Sequence, residues 1–210
     1  MQVLFIKFFS TGSSYKQKFL KWRYKEENME LKINWKNEVK EYAEAIIVAL
    51  VIYFAIKYIL VFALGANPPF AVVVSGSMHH SDNFDTWWSY KYGEYAKYGI
   101  TKEEFSNFSF KNGFSRGDIV IIKKEENIKI GDIIVFKTPY LKVPVVHRVI
   151  SINTGIEDYY LTKGDNNAFP DTYYMGRYGV PEEKVIGKVV LVIPKIGYPS
   201  IWLKELLGMA

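Results

Sequence analysis

The chain has 210 residues, 49% hydrophobic and 23% charged, enough for one domain with an appendage or two small domains; collagenous, disulfide-scaffolded and fully disordered chains are excluded. Its 27 Lys and Arg against 22 Asp and Glu leave a net charge of +5, which is compatible with nucleic acid, an anionic membrane surface or no charged partner. The lack of cysteine excludes a thiol nucleophile, a zinc–thiolate site, a Cys-ligated iron–sulfur cluster and any disulfide, and says nothing about compartment.

Residues 1–44 form a polar lead carrying nine Lys or Arg and six Glu, with Lys32, Lys36 and Lys40 near its end. The opening MQVLFIKFF is apolar but only nine residues long, too short to span a bilayer, and either Met1 or Met29 could be the start. From Ala45 to Leu64 the chain reads AIIVALVIYFAIKYILVFAL, twenty residues with Lys57 as the only charge and no Pro or Gly. About 20 residues at a 1.5 Å rise cross roughly 30 Å of hydrocarbon, so a transmembrane helix is expected over 45–64, stopped by Gly65-Ala66-Asn67-Pro68-Pro69. The apolar run is too long, and starts too far in, for a cleavable signal peptide. The positive-inside rule places the N-terminal tail in the cytoplasm and residues 70–210 outside, a single pass of the cell membrane. Residues 65–210 carry 17 basic and 16 acidic residues, so the basic excess belongs mainly to the tail, as a topology signal.

Beyond Phe70 the pattern changes to short β-branched runs. Ala71–Val74, Ile119–Lys123, Ile133–Lys137, Val143–Ile152, Tyr159–Thr162 and Val185–Ile193 read as strands. Two of them are launched by a Gly-Asp turn, Arg116-Gly117-Asp118 and Ile130-Gly131-Asp132. The fold class is therefore mainly β: an N-terminal transmembrane helix, then an antiparallel sheet or barrel-like domain. An aromatic-rich insertion, residues 79–113, interrupts it with Trp87, Trp88, Tyr90, Tyr92, Tyr95 and Tyr98. Two readings of the insertion stand: rings packed onto the barrel, or a surface at the headgroup level or along a substrate's approach. Residues 196–210, with Ile201, Trp202, Leu203, Leu206 and Leu207, are too broken by Gly197 and Pro199 to span and form either an interfacial end or a cover for the core.

Chemistry concentrates in three places. Ser75-Gly76-Ser77-Met78 follows a strand beside the membrane boundary, where a small residue between two serines permits an open turn with backbone donors nearby. A serine hydroxyl needs a base, and the chain offers only His79, His80 and His147. His79 and His80 would require a sharp fold-back to reach Ser77, while His147 sits on a strand before Arg148. Adjacent histidines rarely converge on one ion and no third ligand is suitably spaced, so neither metal nor cofactor is expected. The third place is Leu161-Thr162-Lys163-Gly164-Asp165-Asn166-Asn167-Ala168-Phe169-Pro170-Asp171, a turn-rich loop with two carboxylates. It either caps turns or supplies a carboxylate for the second nitrogen of His147.

In this order, membrane anchor, SGSM, Gly-Asp strand, His-Arg and Gly-Asp-Asn-Asn with a further Asp, the chain resembles the type I signal peptidases of the archaeal and endoplasmic-reticulum branch over roughly residues 45–195. The bacterial branch has a lysine base before the Arg; here the position is His147. The resemblance implies Ser77 as nucleophile, His147 as base and Asp171 as its orienting carboxylate. Asp165 would be the second aspartate of the catalytic set, and the Ser75 hydroxyl with the Ser77 N–H would form the oxyanion hole. It also implies a membrane-bound serine endopeptidase that cuts exported preproteins after small residues, with signal peptides, the lipid bilayer and the export machinery as partners. With no reader motif, nucleic acid is not expected. Two departures stand out: His79 and His80 replace the family's x-Pro pair, and more than thirty residues separate SGSM from Arg116-Gly117-Asp118. The alternatives are a processing peptidase with one dedicated substrate and a non-catalytic membrane-anchored β domain.

Overall fold

A stretch without Pro or Gly, from Trp35 to Leu64, forms the longest helix among the described residues. The computed structural model describes residues 35–155, 159–175 and 178–208, with positions 17, 18 and 21 besides; MQVLFIKFF, Met29 and Lys32 lie outside the described residues. Internal contacts distinguish two units, Met1–Tyr53 and Phe54–Ala210. The helix Trp35–Leu64 has 30 residues, none of them buried. Among the described residues it is the one helix long and apolar enough to cross a membrane. It begins ahead of the apolar run expected from Ala45, because Trp35 to Glu44 holds no Pro or Gly and Lys40 lies one turn before Glu44, 3.7 Å from it. The helix ends at Gly65, whose N–H donates to the Val61 carbonyl at 2.9 Å.

The second unit is built on a curled seven-stranded sheet: β1 (Phe70–Val72), β2 (Ile119–Lys123), β3 (Ile133–Phe136), β4 (Val145–Asn153), β5 (Tyr159–Lys163), β6 (Val180–Pro181) and β7 (Val185–Ile193). Their order is β1-β2-β7-β3-β4-β5-β6, and every neighbouring pair is antiparallel. Register shifts at Ile121/Ile122, Val135/Phe136 and Val149/Ser151 break the ladder, the kind of irregularity that increases local twist. The apolar runs at 119–123 and 185–193 are strands at the expected bounds. The two-residue β6 has too little sequence to announce itself.

Central β3 is buried along its whole length, and its side chains alternate between two cores. Ile133 and Val135 pack with Val73, Met78, Val120, Ile122 and Val189, whereas Ile134 and Phe136 pack with Val149, Tyr160 and Val180. In both Gly-Asp turns the aspartate caps the turn: Asp118 accepts the Ser115 N–H at 2.8 Å, and Asp132 the Lys129 N–H at 2.9 Å.

The insertion adds a third core. The helix Phe84–Ala96 starts on Asn83, which accepts the Thr86 N–H, and the helix Lys102–Ser106 starts on a capping box between Thr101 and Glu104. Trp87, Trp88, Tyr95 and Phe105 bury one another with Ile150 of β4, while Tyr90 and Tyr92 stay exposed. At the other end, the helix Tyr198–Leu206 buries Ile201 and exposes Trp202, Leu203 and Leu206.

Candidate active site

Three segments distant in sequence, those of Ser77, His147 and Asp171, meet on one cavity. After β1 the chain leaves the ladder and turns at Gly76, whose carbonyl accepts the His79 N–H at 3.0 Å. The turn is tied down on its far side, where Met78 is buried and its carbonyl accepts the Phe114 N–H at 3.0 Å. Ser77, half-buried, is left at the bend. It lines a cavity of about 260 Å3 together with Ser75, His147, Asp171 and a mostly apolar wall that includes Val73, Phe136, Leu141, Val143 and Val145.

Strand geometry sorts the polar residues. Neighbours on a strand point to opposite faces, so His147 and Arg148 cannot serve the same site. His147 Nδ1 lies 2.6 Å from Asp171 Oδ2, and that same oxygen accepts the Thr162 hydroxyl at 2.7 Å. Asp171 is itself held by its N–H, which donates to the Thr162 carbonyl at 2.9 Å. A carboxylate on Nδ1 favours the tautomer with hydrogen there and leaves Nε2 as the basic nitrogen. The Ser77 hydroxyl is 3.1 Å from Ser75 Oγ. Among the described residues no hydrogen bond joins Ser77 to His147; such catalytic contacts are often long before substrate enters.

Arg148, on the opposite face, needs a buried anion, and Asp165 supplies it. Arg148 Nε and Nη2 donate to the two oxygens of Asp165 at 2.9 and 2.8 Å. Its remaining N–H groups reach the carbonyls of Ser109, Gly131 and Phe110 at 3.0, 2.8 and 3.1 Å, so all five donors are matched. The guanidinium also lies 4.7 Å from the centroid of the Phe105 ring. Burial would raise the Asp165 carboxyl, but the Arg148 charge and the hydrogen bonds from His80 and Arg148 overcome it and hold the group well below the usual carboxylate range.

The residues expected at the site thus divide. Ser75, Ser77, His147 and Asp171 share one cavity. Asp165, grouped with them on sequence, does not touch His147, because its carboxylate is committed to Arg148, His80 and Tyr95. His79 and His80 are engaged elsewhere, His79 with Ser115 Oγ at 2.8 Å and His80 with Asp165 at 3.1 Å. Sequence reasoning missed Thr162, the Arg148–Asp165 pair and Asn166, whose N–H donates to the Ser77 carbonyl at 2.7 Å. Strand alternation beside His147 was the signal for the pair: a charged residue turned into the core requires a partner.

No family model matches the chain. Among characterised proteins it is similar to the signal peptidase complex catalytic subunits SEC11 of three eukaryotes. It is 35% identical to that of Zygosaccharomyces rouxii over 103 residues, 46% of this chain and 62% of the relative. It is 38% identical to that of Lachancea thermotolerans over 104 residues (46% and 62%), and 37% to that of Sclerotinia sclerotiorum over 103 residues (46% and 60%). The chain spans about three-fifths of the length of these curated relatives. Over that stretch of about 103 residues it is a homologue of the SEC11 catalytic subunits.

Proposed function

We propose that this chain is a membrane-anchored serine endopeptidase that removes signal peptides from exported preproteins after small residues. The observation that carries the reading is the His147–Asp171 pair, 2.6 Å apart, on the wall of an apolar cavity that also holds Ser77. In this mechanism Ser77 Oγ attacks the scissile carbonyl while His147 Nε2 takes its proton, and Asp171 stabilises the imidazolium. The proton then passes to the leaving amine, and water hydrolyses the acyl-enzyme. The Ser75 hydroxyl, beside Ser77 Oγ, and the Ser77 N–H receive the oxyanion.

Strand β1 is at one edge of the sheet, so an extended substrate can add beside it through main-chain hydrogen bonds. The apolar cavity wall then selects small side chains near the cut. Residues 45–64 of the helix Trp35–Leu64 serve as the anchor, with residues 1–44 in the cytoplasm and the β domain, 70–210, on the outer face of the cell membrane beside the export machinery.

The test is cleavage of a preprotein by the purified full chain in liposomes. Ser77→Ala should lose at least about 10³-fold in kcat, together with labelling by an acylating probe. Wild-type cleavage by Ser77→Ala would overturn the reading.

A further inference from the structure

The insertion takes no part in the chemistry above, yet two of its side chains end on one carboxylate. His80 Nε2 lies 3.1 Å from Asp165 Oδ2, and the Tyr95 hydroxyl donates to Asp165 Oδ1 at 2.9 Å. Both donors are rigidly mounted. The His80 ring is stacked on Trp87 with centroids 3.7 Å apart and planes 8° from parallel, and Tyr95 is wholly buried. Burial and the Asp165 charge push the Tyr95 phenol well above its ordinary range, which keeps it a donor.

The loop that carries Asp165 runs straight on to the nucleophile. Asn166 donates its N–H to the Ser77 carbonyl at 2.7 Å and its side-chain Nδ2 to the Gly76 carbonyl at 3.2 Å. Lys91, from the insertion, donates to the Asn166 carbonyl at 3.2 Å. The fit is close: a Cβ at Gly164 would lie 2.8 Å from the Ser77 carbonyl oxygen, so no side chain is admitted there.

We propose that residues 79–113 act as a positioning clasp for the nucleophile: His80 and Tyr95 hold Asp165, and through it the Asn166 amide that fixes the Ser77 peptide. The inference rests on the reading of Ser77 as nucleophile. His80 and Tyr95 touch neither substrate nor reacting atoms and are positioning residues. Their effect falls on kcat, because the Ser77 hydroxyl and N–H both move with the peptide that Asn166 holds.

The experiment compares His80→Phe, which keeps the stack and loses the donor, with His80→Gln, which keeps a donor, and with the milder Tyr95→Phe. Each is made in the full chain. A misplacement of about 1 Å can cost about 100-fold, so His80→Phe should lower kcat and the rate of Ser77 acylation about 10- to 100-fold with KM within about twofold. His80→Gln should recover most of that loss, and Tyr95→Phe should lose about threefold to tenfold by the same argument. Hydrogen exchange at the Asn166 amide should accelerate in His80→Phe and Tyr95→Phe, a readout independent of catalysis. Unchanged exchange in the folded variants, or equal kcat losses in His80→Phe and His80→Gln, would overturn the clasp. A Ser77→Ala chain that still cleaves would instead overturn the nucleophile reading and leave the exchange result standing.

Discussion

His147 and Arg148 are neighbours in the chain and opposites in their surroundings. His147 opens on a cavity and binds Asp171, whereas Arg148 is sealed among aromatic rings and binds Asp165. On the sealed face every guanidinium donor is matched, and Asp165 accepts from Arg148, Tyr95 and His80. On the open face the hydroxyls of Ser75 and Ser77 pair with each other on the wall of a cavity of about 260 Å3. The contrast teaches that access divides the work between like residues. A closed polar network fixes geometry, while an open one keeps bonding capacity for a substrate.

The largest break in this contrast should come from Asp171→Asn. Loss of the carboxylate that fixes the imidazole tautomer costs about 10⁴-fold in kcat in serine peptidases built this way. The thermal melt of the full chain in detergent should move little, because an amide can still occupy the site beside Thr162. Undiminished kcat would show that Asp171 does not orient the base. On the sealed face Arg148→Met should reverse the pattern, costing about 3–5 kcal/mol of stability by leaving the buried Asp165 carboxylate without its guanidinium partner. Denaturant titration reads it, and a loss below about 1 kcal/mol, the scale of an exposed pair, would mean that the cluster is not sealed.

Acid should separate the two faces next. Because the folded Asp165 carboxyl is held below its unfolded value, its stabilisation is complete above about pH 4 and is lost as pH falls toward the folded value. Melts between about pH 5 and 2 should therefore show stability falling more steeply in the wild-type chain than in Asp165→Asn, which lacks that titration. Equal slopes would mean that Asp165 does not carry the acid sensitivity.

How far the contrast could be read beforehand follows from its physics. Ser77 and His147 stand out in the sequence as candidates because so few residue types can do nucleophilic and base chemistry, and the strands at 119–123 and 185–193 because their β-branched runs are bounded by turns. Asp171 could be placed on His147 only by resemblance, since a loop's sequence does not say which of two carboxylates faces which strand. Asp165 was grouped with the catalytic set for the same reason; its partners His80 and Tyr95 lie 85 and 70 residues away, beyond any local pattern. The buried aromatic core of the insertion was one of two open readings, because an aromatic cluster suits a core and an interface equally. Tertiary packing buries Trp87 and Trp88 in a core and leaves Tyr90 and Tyr92 exposed, so the cluster divides between the two.

The smallest effect tests whether stability on the sealed face can be changed without touching the cleft. Thr101 accepts the Glu104 N–H at 3.2 Å, and Glu104 Oε2 accepts the Thr101 N–H at 2.8 Å, which starts the helix Lys102–Ser106. That helix carries Phe105, whose ring packs against the Arg148 guanidinium. Thr101→Ala removes the side-chain acceptor, costing about 1 kcal/mol, which for a chain of this size lowers the melting temperature by about 2–4 °C. Loss of a cap raises the population of frayed helix and leaves the docked geometry as it was. At temperatures well below the melt kcat should therefore match that of the wild-type chain. A drop in kcat at such temperatures, in a chain otherwise folded, would mean that fraying at Thr101 reaches Ser77, and the division between a face that fixes and a face that reacts would fail there.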